Sequence, residues 1–305
     1  TVQAMPDVGV IIVSYNVAGL LRKCLRSVLA SRGVRLAVCV VDNGSVDDSA
    51  ELVRTEFPQV HLILSPENRG YSAANNLGIK YFLAQSPPPR YILLLNPDTE
   101  VPPDAIAEMV AYLDRHPEAG IAGPKLVRPD GSLDLACRRS FPTPEVAFYR
   151  MVGLSRLFPR SRRFGRYNLT YLDPDVEAEV DSVVGAFMLV RREALEGAGL
   201  MDEEFFLYGE DLDLAFRIKA QGWKVLYYPK VVVLHHKGES TRRARSRAVQ
   251  EFYRAMLIFY KKHYAPANPP LLRWVVTAGI YLRWGLAWAL LKAEGLIPSR
   301  PRHLA

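Results

Sequence analysis

Residues 8–15 read VGVIIVSY, a nearly unbroken apolar run that passes into the polar triplet Ser14-Tyr15-Asn16. Apolar side chains at consecutive positions leave neither face of a strand for water. The run therefore predicts a strand buried on both sides, as in a parallel sheet covered by helices. The same grammar repeats outward from it. Residues 20–29 carry apolar side chains at helical spacing, 36–41 (LAVCVV) form a second buried run, 60–64 a third and 91–95 (YILLL) a fourth. Helices are expected between them: one opened by Ser45, with Asp47 and Asp48 favourable in its first turn, and one over 71–83. Strands and helices alternating through short connections define an α/β class, a doubly wound and mostly parallel sheet.

Further along, a helix is expected from Pro102 to about His116, then a strand at 119–127 and an irregular basic stretch up to 180. The pattern then gives a strand at 183–190 (VVGAFMLV), a helix at 211–221, a strand-rich run at 224–234 and an amphipathic helix at 242–263. Pro266, Pro269 and Pro270 break that pattern before the strongly apolar stretch 271–291.

Ligands of open α/β sheets bind at the carboxyl ends of the strands. Here three of those ends are polar: Ser14-Tyr15-Asn16, Asp42-Asn43-Gly44-Ser45 and Asn96-Pro97-Asp98-Thr99-Glu100. Each alone is ordinary turn chemistry. All three on one sheet edge describe a ligand cleft.

Composition narrows the partners. The 305 residues, 49% hydrophobic, suffice for one large α/β domain and an appendage. Cys24, Cys39 and Cys137 have no metal-type spacing, and an odd count of thiols among apolar residues suits buried, reduced cysteines and a reducing cytosol. The opening Thr-Val-Gln-Ala-Met-Pro shows no signal-peptide pattern. Net charge is +7, but residues 137–166 and 241–262 hold 15 of the 39 basic residues and 2 of the 32 acidic ones. The rest of the chain is therefore net acidic, and the local positive charge implies an anionic partner for the second half.

The runs VSYN (13–16), VDNGSVDDS (41–49), NRGYSAANNLGI (68–79), LLLNPDTE (93–100), GAFMLVRREAL (185–195) and DEEFFLYGEDLDLAFRIKAQGW (202–223) together resemble a family 2 glycosyltransferase. Within that family they are most similar to the rhamnosyltransferase branch of cell-surface polysaccharide synthesis. The resemblance covers roughly 8–240 and implies a GT-A fold, with a nucleotide-sugar half at 1–128, an acceptor half at 129–240, and basic and apolar C-terminal helices over 241–305. It implies a nucleoside diphosphate-sugar donor (dTDP- or UDP-linked), a saccharide or polyprenyl-linked acceptor, and a divalent metal, Mg²⁺ or Mn²⁺.

Residue roles follow from the same resemblance. Asp42 would read the pyrimidine ring N–H, with Ser14, Tyr15, Asn16 and Asn43 bordering base and ribose. Arg69 would approach base or diphosphate, or else form a surface ion pair. Asn75 would face the cleft from its helix, or bond a neighbouring loop. Asn96 and Asp98 occupy the Asp-x-Asp position, with an amide in place of the first carboxylate and Asp98 as the main metal ligand. His235, opening His-x-x-Gly-x-Ser, would be a second metal ligand, with His236 as the alternative. Asp211 would be the catalytic base and Glu210 would orient the acceptor; an N-capping pair is the plainer reading. No nucleophile–base pair for a covalent intermediate is evident, which favours an inverting single displacement.

The arginine-rich stretch has interleaved aromatics but no nucleic-acid motif, so a membrane surface or polyprenyl diphosphate fits better than nucleic acid; a solvated basic face is the alternative. Residues 271–291 are long enough to span a bilayer, but Arg283 falls inside them, while Trp274, Trp284 and Trp288 suit an interface. An interfacial or partly buried helix is expected, with a dimer-forming helix as the alternative. The placement implied is peripheral, at the cytoplasmic face of the membrane. Two rival functions are a nucleotidyltransferase, which would carry a Gly- and Arg-rich loop where this chain has Asn16-Val17-Ala18-Gly19, and a non-catalytic sugar- or lipid-binding module.

Overall fold

The computed structural model describes residues 6–236 and 245–296. The chain opens with β1 (Val8–Ser14), α1 (Ala18–Leu29), β2 (Leu36–Asn43), α2 (Ser49–Glu56), β3 (His61–Ser65), α3 (Tyr71–Leu83) and β4 (Tyr91–Leu95). It continues through β5 (Thr99–Glu100), α4 (Ala105–Arg115), β6 (Ala119–Val127), α5 (Pro144–Met151), α6 (Leu154–Leu157), β7 (Ala178–Val180), β8 (Phe187–Arg191), α7 (Arg192–Ala198), α8 (Glu210–Ala220) and β9 (Lys224–His235). Two long helices follow, α9 (Arg245–His263) and α10 (Pro270–Leu296).

Among the described residues the strands form one nine-stranded sheet in the order β3-β2-β1-β4-β8-β6-β9-β5, with β7 also on β9. β1, β2, β3 and β4 are parallel to one another, so their carboxyl ends share an edge. β8 runs antiparallel between β4 and β6, and β6 pairs parallel with β9. Every residue of β1 is buried, as its unbroken apolar run requires. α1 buries Leu21, Cys24, Leu25 and Val28, the stripe its spacing predicts. α3 lies unusually close to β1: a Cβ at Gly9 would come within 2.7 Å of the Phe82 ring, and one at Gly78 within 2.6 Å of Ile11. All three cysteines are buried free thiols, and burial pushes Cys24 and Cys39 up to about 12.

Several boundaries differ from the sequence reading. α2 starts at Ser49 rather than Ser45, because the Ser45 and Asp47 side chains are spent on ties around the loop. Ser45 Oγ accepts from the Asn16 N–H, and Asp47 accepts from the Ala18 N–H as well as from Ser49. The strand expected at 183 begins only at Phe187, since residues 182–185 bend to serve two charged side chains. The Val183 carbonyl accepts from Arg139, and the Gly185 N–H donates to Asp211. The basic stretch is not all surface either. Arg138 is buried with its guanidinium on the carbonyls of Leu172 and Asp173, and Arg139 is an internal ion-pair partner.

α9 is stitched to α8 by charge. Burial acts to raise Asp213, but hydrogen bonds from His263 and Lys262 and the nearby Arg217 outweigh it and hold the carboxyl at about 2. Around that anchor pack Phe205, Leu212, Ala255 and Phe259. A separate cluster of Tyr253, Leu257, Tyr260 and Ile280 joins α9 to α10. The start of the basic helix expected at 242 lies outside the described residues, as do Gly238 and Ser240 of the His-x-x-Gly-x-Ser run.

Candidate active site

The parallel strand ends are tied into one rim. Asn16 takes a left-handed backbone at φ 55°, and its amide oxygen accepts from the Val46 N–H 2.8 Å away. Asp42 Oδ2 accepts from the Ser45 N–H, while its Oδ1 is buried with no partner in the protein. Ser14 Oγ, also buried, is likewise unpartnered, and Tyr15 is exposed beside it.

Asn43 is turned away from this edge. Its amide NH₂ donates to Asn68 Oδ1 and the Gly70 carbonyl, and its oxygen accepts from the Arg69 N–H. It is thus a latch for the 68–70 loop, which leaves little of its amide for a ligand. Arg69 is half-exposed and sits 3.9 Å from Glu203, the surface ion pair that the sequence reading offers as the alternative. Asn75 is fully buried, donating to the Tyr71 carbonyl and keeping an unpartnered Oδ1.

The 96–100 turn hands the chain from β4 to β5, and β5 pairs with the end of β9 so that Thr99 stands opposite His235. This register brings His235 Nε2 to 3.3 Å from Asp98 Oδ1. Asp98 Oδ1 nevertheless has no hydrogen bond, because the contact is poorly aligned for one. Two ligands of one small divalent cation stand about 3 Å apart, so an orphaned carboxylate oxygen beside an imidazole nitrogen fits a shared ion. His235 Nδ1 is 2.9 Å from the buried Asp134, the carboxylate–histidine arrangement that orients metal-binding imidazoles. Burial acts to lower the His235 pKa, but the Asp134 and Asp98 carboxylates raise it to about 9, so a metal there would have to displace a proton. His236 instead bonds Glu100 at 2.7 Å, and Asn96 Oδ1 accepts from the Tyr71 hydroxyl at 2.9 Å. Among the described residues, no three His, Cys, Asp or Glu side chains converge on one point, so a bound ion would take its remaining ligands from a substrate or water.

At the start of α8 two adjacent carboxylates meet different surroundings. Asp211 Oδ2 accepts from Arg139 at 2.6 Å and from the Gly185 N–H at 3.0 Å, and its Oδ1 accepts from the Leu212 N–H. Glu210 is equally buried but keeps Oε2 unpartnered. Burial, reinforced by the Asp211 charge, pushes Glu210 up to about 8, against the pull of its backbone hydrogen bond and Arg139. The pair therefore consists of a carboxyl group clamped by a guanidinium and a neighbour whose proton is held up to about 8 by burial.

Sequence reasoning missed Asp134, Arg139 and Tyr71. Asp134 stands 101 residues from the histidine it supports, in a stretch that reads as a turn. Arg139 is indistinguishable by type from the surface arginines that follow it. The Tyr71 hydroxyl bridges Asn96 and the Gly185 carbonyl, joining the two halves of the site, whereas its place in the sequence marks only the opening of a helix.

A parallel half continued by an antiparallel and mixed half, with carboxylates at the 98 turn and at the head of α8, is the arrangement of the GT-A fold. The model of Glycosyl transferase family 2 matches residues 9–198, and the chain belongs to that family. It is 30% identical over 286 residues to an N-acetylglucosaminyl-diphospho-decaprenol L-rhamnosyltransferase of Mycobacterium tuberculosis, covering 92% of each chain. It is 28% identical over 234 residues to a low-salt glycan biosynthesis hexosyltransferase of Haloferax volcanii, covering 76% of this chain and 68% of that one. Among solved structures, a mannosyltransferase from Pyrobaculum calidifontis in complex with GDP-Man and Mn²⁺ superposes with a TM-score of 0.55 at 22% identity. That match covers 98% of this chain and 78% of that one. The protein is a glycosyltransferase.

Proposed function

We propose that the chain moves a sugar, rhamnose by its likeness to the mycobacterial relative, from a dTDP- or UDP-linked donor to a lipid-linked saccharide at the cytoplasmic face of the membrane. One observation carries the site assignment. Among the described residues, six buried side-chain oxygens have no hydrogen-bond partner in the protein, and five of them belong to Ser14, Asp42, Asn75, Asp98 and Glu210. Buried acceptors left unpaired are costly, and natural proteins keep them where a ligand will pair them. Only Ser31 falls elsewhere.

In this reading Asp42 Oδ1 accepts the pyrimidine N–H, with Ser14, Tyr15 and Asn16 along the nucleoside and Arg69 near the diphosphate. Asn43 serves by fixing the 68–70 loop. Asp98 and His235 would hold Mg²⁺ or Mn²⁺, with Asn96 beside them, and such an ion would supply positive charge against the departing nucleoside diphosphate. Asp211, oriented by Arg139, takes the proton of the acceptor hydroxyl as the hydroxyl oxygen bonds to the anomeric carbon. The bond to the diphosphate breaks on the opposite side, inverting the centre. Glu210, protonated near neutral pH, donates a hydrogen bond that orients the acceptor. Residues 1–128 form the donor half and 129–240 the acceptor half, with 241–305 as the C-terminal appendage.

The test is a thermal-shift screen of dTDP, UDP and GDP with and without Mn²⁺ or Mg²⁺. Ligand at about 100 times its Kd stabilises the fold by about 2.7 kcal/mol, a shift of a few degrees. A metal-dependent shift with dTDP or UDP is expected. A metal-independent shift, or one with GDP alone, refutes the assignment of Asp98 or of Asp42 respectively.

A further inference from the structure

α10 is the one helix among the described residues long and apolar enough to cross a membrane, judged by length and composition. Its surroundings argue for another placement. One side rests on α9: Ile280 is its buried residue, with Val276, Trp284 and Ala287 partly buried around it. The rest of the helix is open. At 100° per residue, the exposed side chains Leu271, Leu272, Val275, Leu282, Leu286 and Leu290 centre on one face. Trp274, Tyr281 and Trp288, seven residues apart, form a continuous aromatic seam along one edge of it. The open apolar arc spans roughly 200° of the circumference.

The charges around that arc are mostly basic. From Pro270 to Ala293 the helix carries Arg273, Arg283 and Lys292 and no acidic residue. Arg283 projects near the edge opposite the aromatic seam. On the seam's own side a groove between the two helices is lined by Arg254, Lys261 and Lys262 of α9 together with Tyr281 and Trp284, facing the acidic Asp202 and Glu204. Asp202 is already paired with Lys262.

We propose that α10 lies in the plane of an anionic bilayer, with its leucine face in the acyl region, the Trp274–Tyr281–Trp288 seam along the headgroup boundary, and Arg283, Arg254 and Lys261 reaching lipid phosphates. A second copy of the chain fits less well: a facing helix covers a seam of about 100°, half of the open arc. Spanning fits less well too, because α9 covers one side of α10 with a helix bearing Arg254 and Lys261. Tryptophan and tyrosine favour the headgroup level, and long cationic side chains reach out of apolar surface to phosphates. The proposal deepens the reading of a lipid-linked acceptor by stating how the enzyme meets the surface that carries it.

The experiment is co-sedimentation of the full chain with phosphatidylcholine vesicles with and without about one third phosphatidylglycerol, at low and high salt. Attraction between basic side chains and an anionic lipid surface is screened by added ions. Binding that needs the anionic lipid and weakens at least tenfold at high salt is expected. Leu282→Glu with Leu286→Glu, at exposed positions that the fold tolerates, should lower partition at least tenfold while the nucleotide thermal shift stays unchanged. That unchanged shift separates failure of this surface from failure of the donor-site reading. Tyr281→Trp, read by lipids brominated at different depths, should be quenched at the same shallow depth as Trp274. Quenching of position 281 at the bilayer centre would replace the in-plane helix by a span. A dimer in solution that the double glutamate variant dissolves, with no vesicle binding by the wild type, would assign the face to a second copy and overturn the proposal.

Discussion

Glu210 offers a test of the active-site electrostatics that needs no substrate. In the unfolded chain its carboxyl releases its proton near the ordinary value of 4.5, while in the folded protein burial and the Asp211 charge hold the proton to about 8. Between those two values the folded state binds one more proton than the unfolded state. Stability contributed by this residue is therefore fully present below about 4.5 and is lost as pH rises towards about 8, at about 1.4 kcal/mol per pH unit. The total is on the order of 5 kcal/mol, a large fraction of the roughly 5–15 kcal/mol typical of a domain. Glu210→Gln keeps the size and hydrogen-bonding capacity of the protonated acid but cannot ionise. The variant should match wild type near pH 5 and exceed it progressively up to about pH 8, after which the gap stays constant. Urea unfolding of both proteins at intervals from about pH 5 to 9 measures this directly. Parallel stability curves across that range would show that Glu210 ionises normally, and the assignment of a protonated, acceptor-orienting Glu210 would fall with it.

Asp211→Asn should lower turnover by about 10²- to 10⁴-fold, the range of general-base catalysis, and leave the nucleotide thermal shift intact; retention of most wild-type turnover would remove the base assignment. Arg139→Met should destabilise the fold by about 3–5 kcal/mol, because it strands a buried carboxylate. In an Asp211→Asn background the same change should cost much less, and equal costs in both backgrounds would show that the ion pair is not what Arg139 supports. Asp98→Ala should abolish the Mn²⁺-dependent part of donor binding, as titration calorimetry with and without metal would reveal. Asp134→Asn should weaken Mn²⁺ binding in the presence of nucleoside diphosphate by roughly 10- to 100-fold; unchanged affinity would reduce Asp134 to a packing role.

How far the sequence speaks depends on the range of the interaction concerned. β1, β2 and β4 are legible because a strand buried on both faces must be apolar at successive positions, and α3 and β6 because their patterns are uninterrupted. The positions of Asp42 and Asp98 at strand ends follow from the parallel sheet alone. The start of α2 is misplaced because Ser45 and Asp47 have capping chemistry whether they cap a helix or, as here, tie neighbouring loops. The antiparallel insertion of β8 between β4 and β6 is not legible, since pairing direction leaves little trace in a short apolar run. Nor are the Arg139–Asp211 and Asp134–His235 pairs, each of which joins residues more than seventy positions apart. An arginine's type does not say whether it is solvated or serves one buried carboxylate.

The ties among the strand-end loops bear on how such an enzyme could change its donor. Asn16 is joined to Ser45 and Val46, Ala18 to Asp47, and Asn43 to Asn68, Arg69 and Gly70. Segments 14–18, 42–47 and 68–70 are thus a single mechanical unit, though scattered along the chain. A substitution in one loop that suits a new base or sugar is resisted by the other two, which hold the old backbone in place. Retargeting by single-loop exchange should therefore yield unstable or inactive chimaeras. The three segments would transfer between relatives as one cassette.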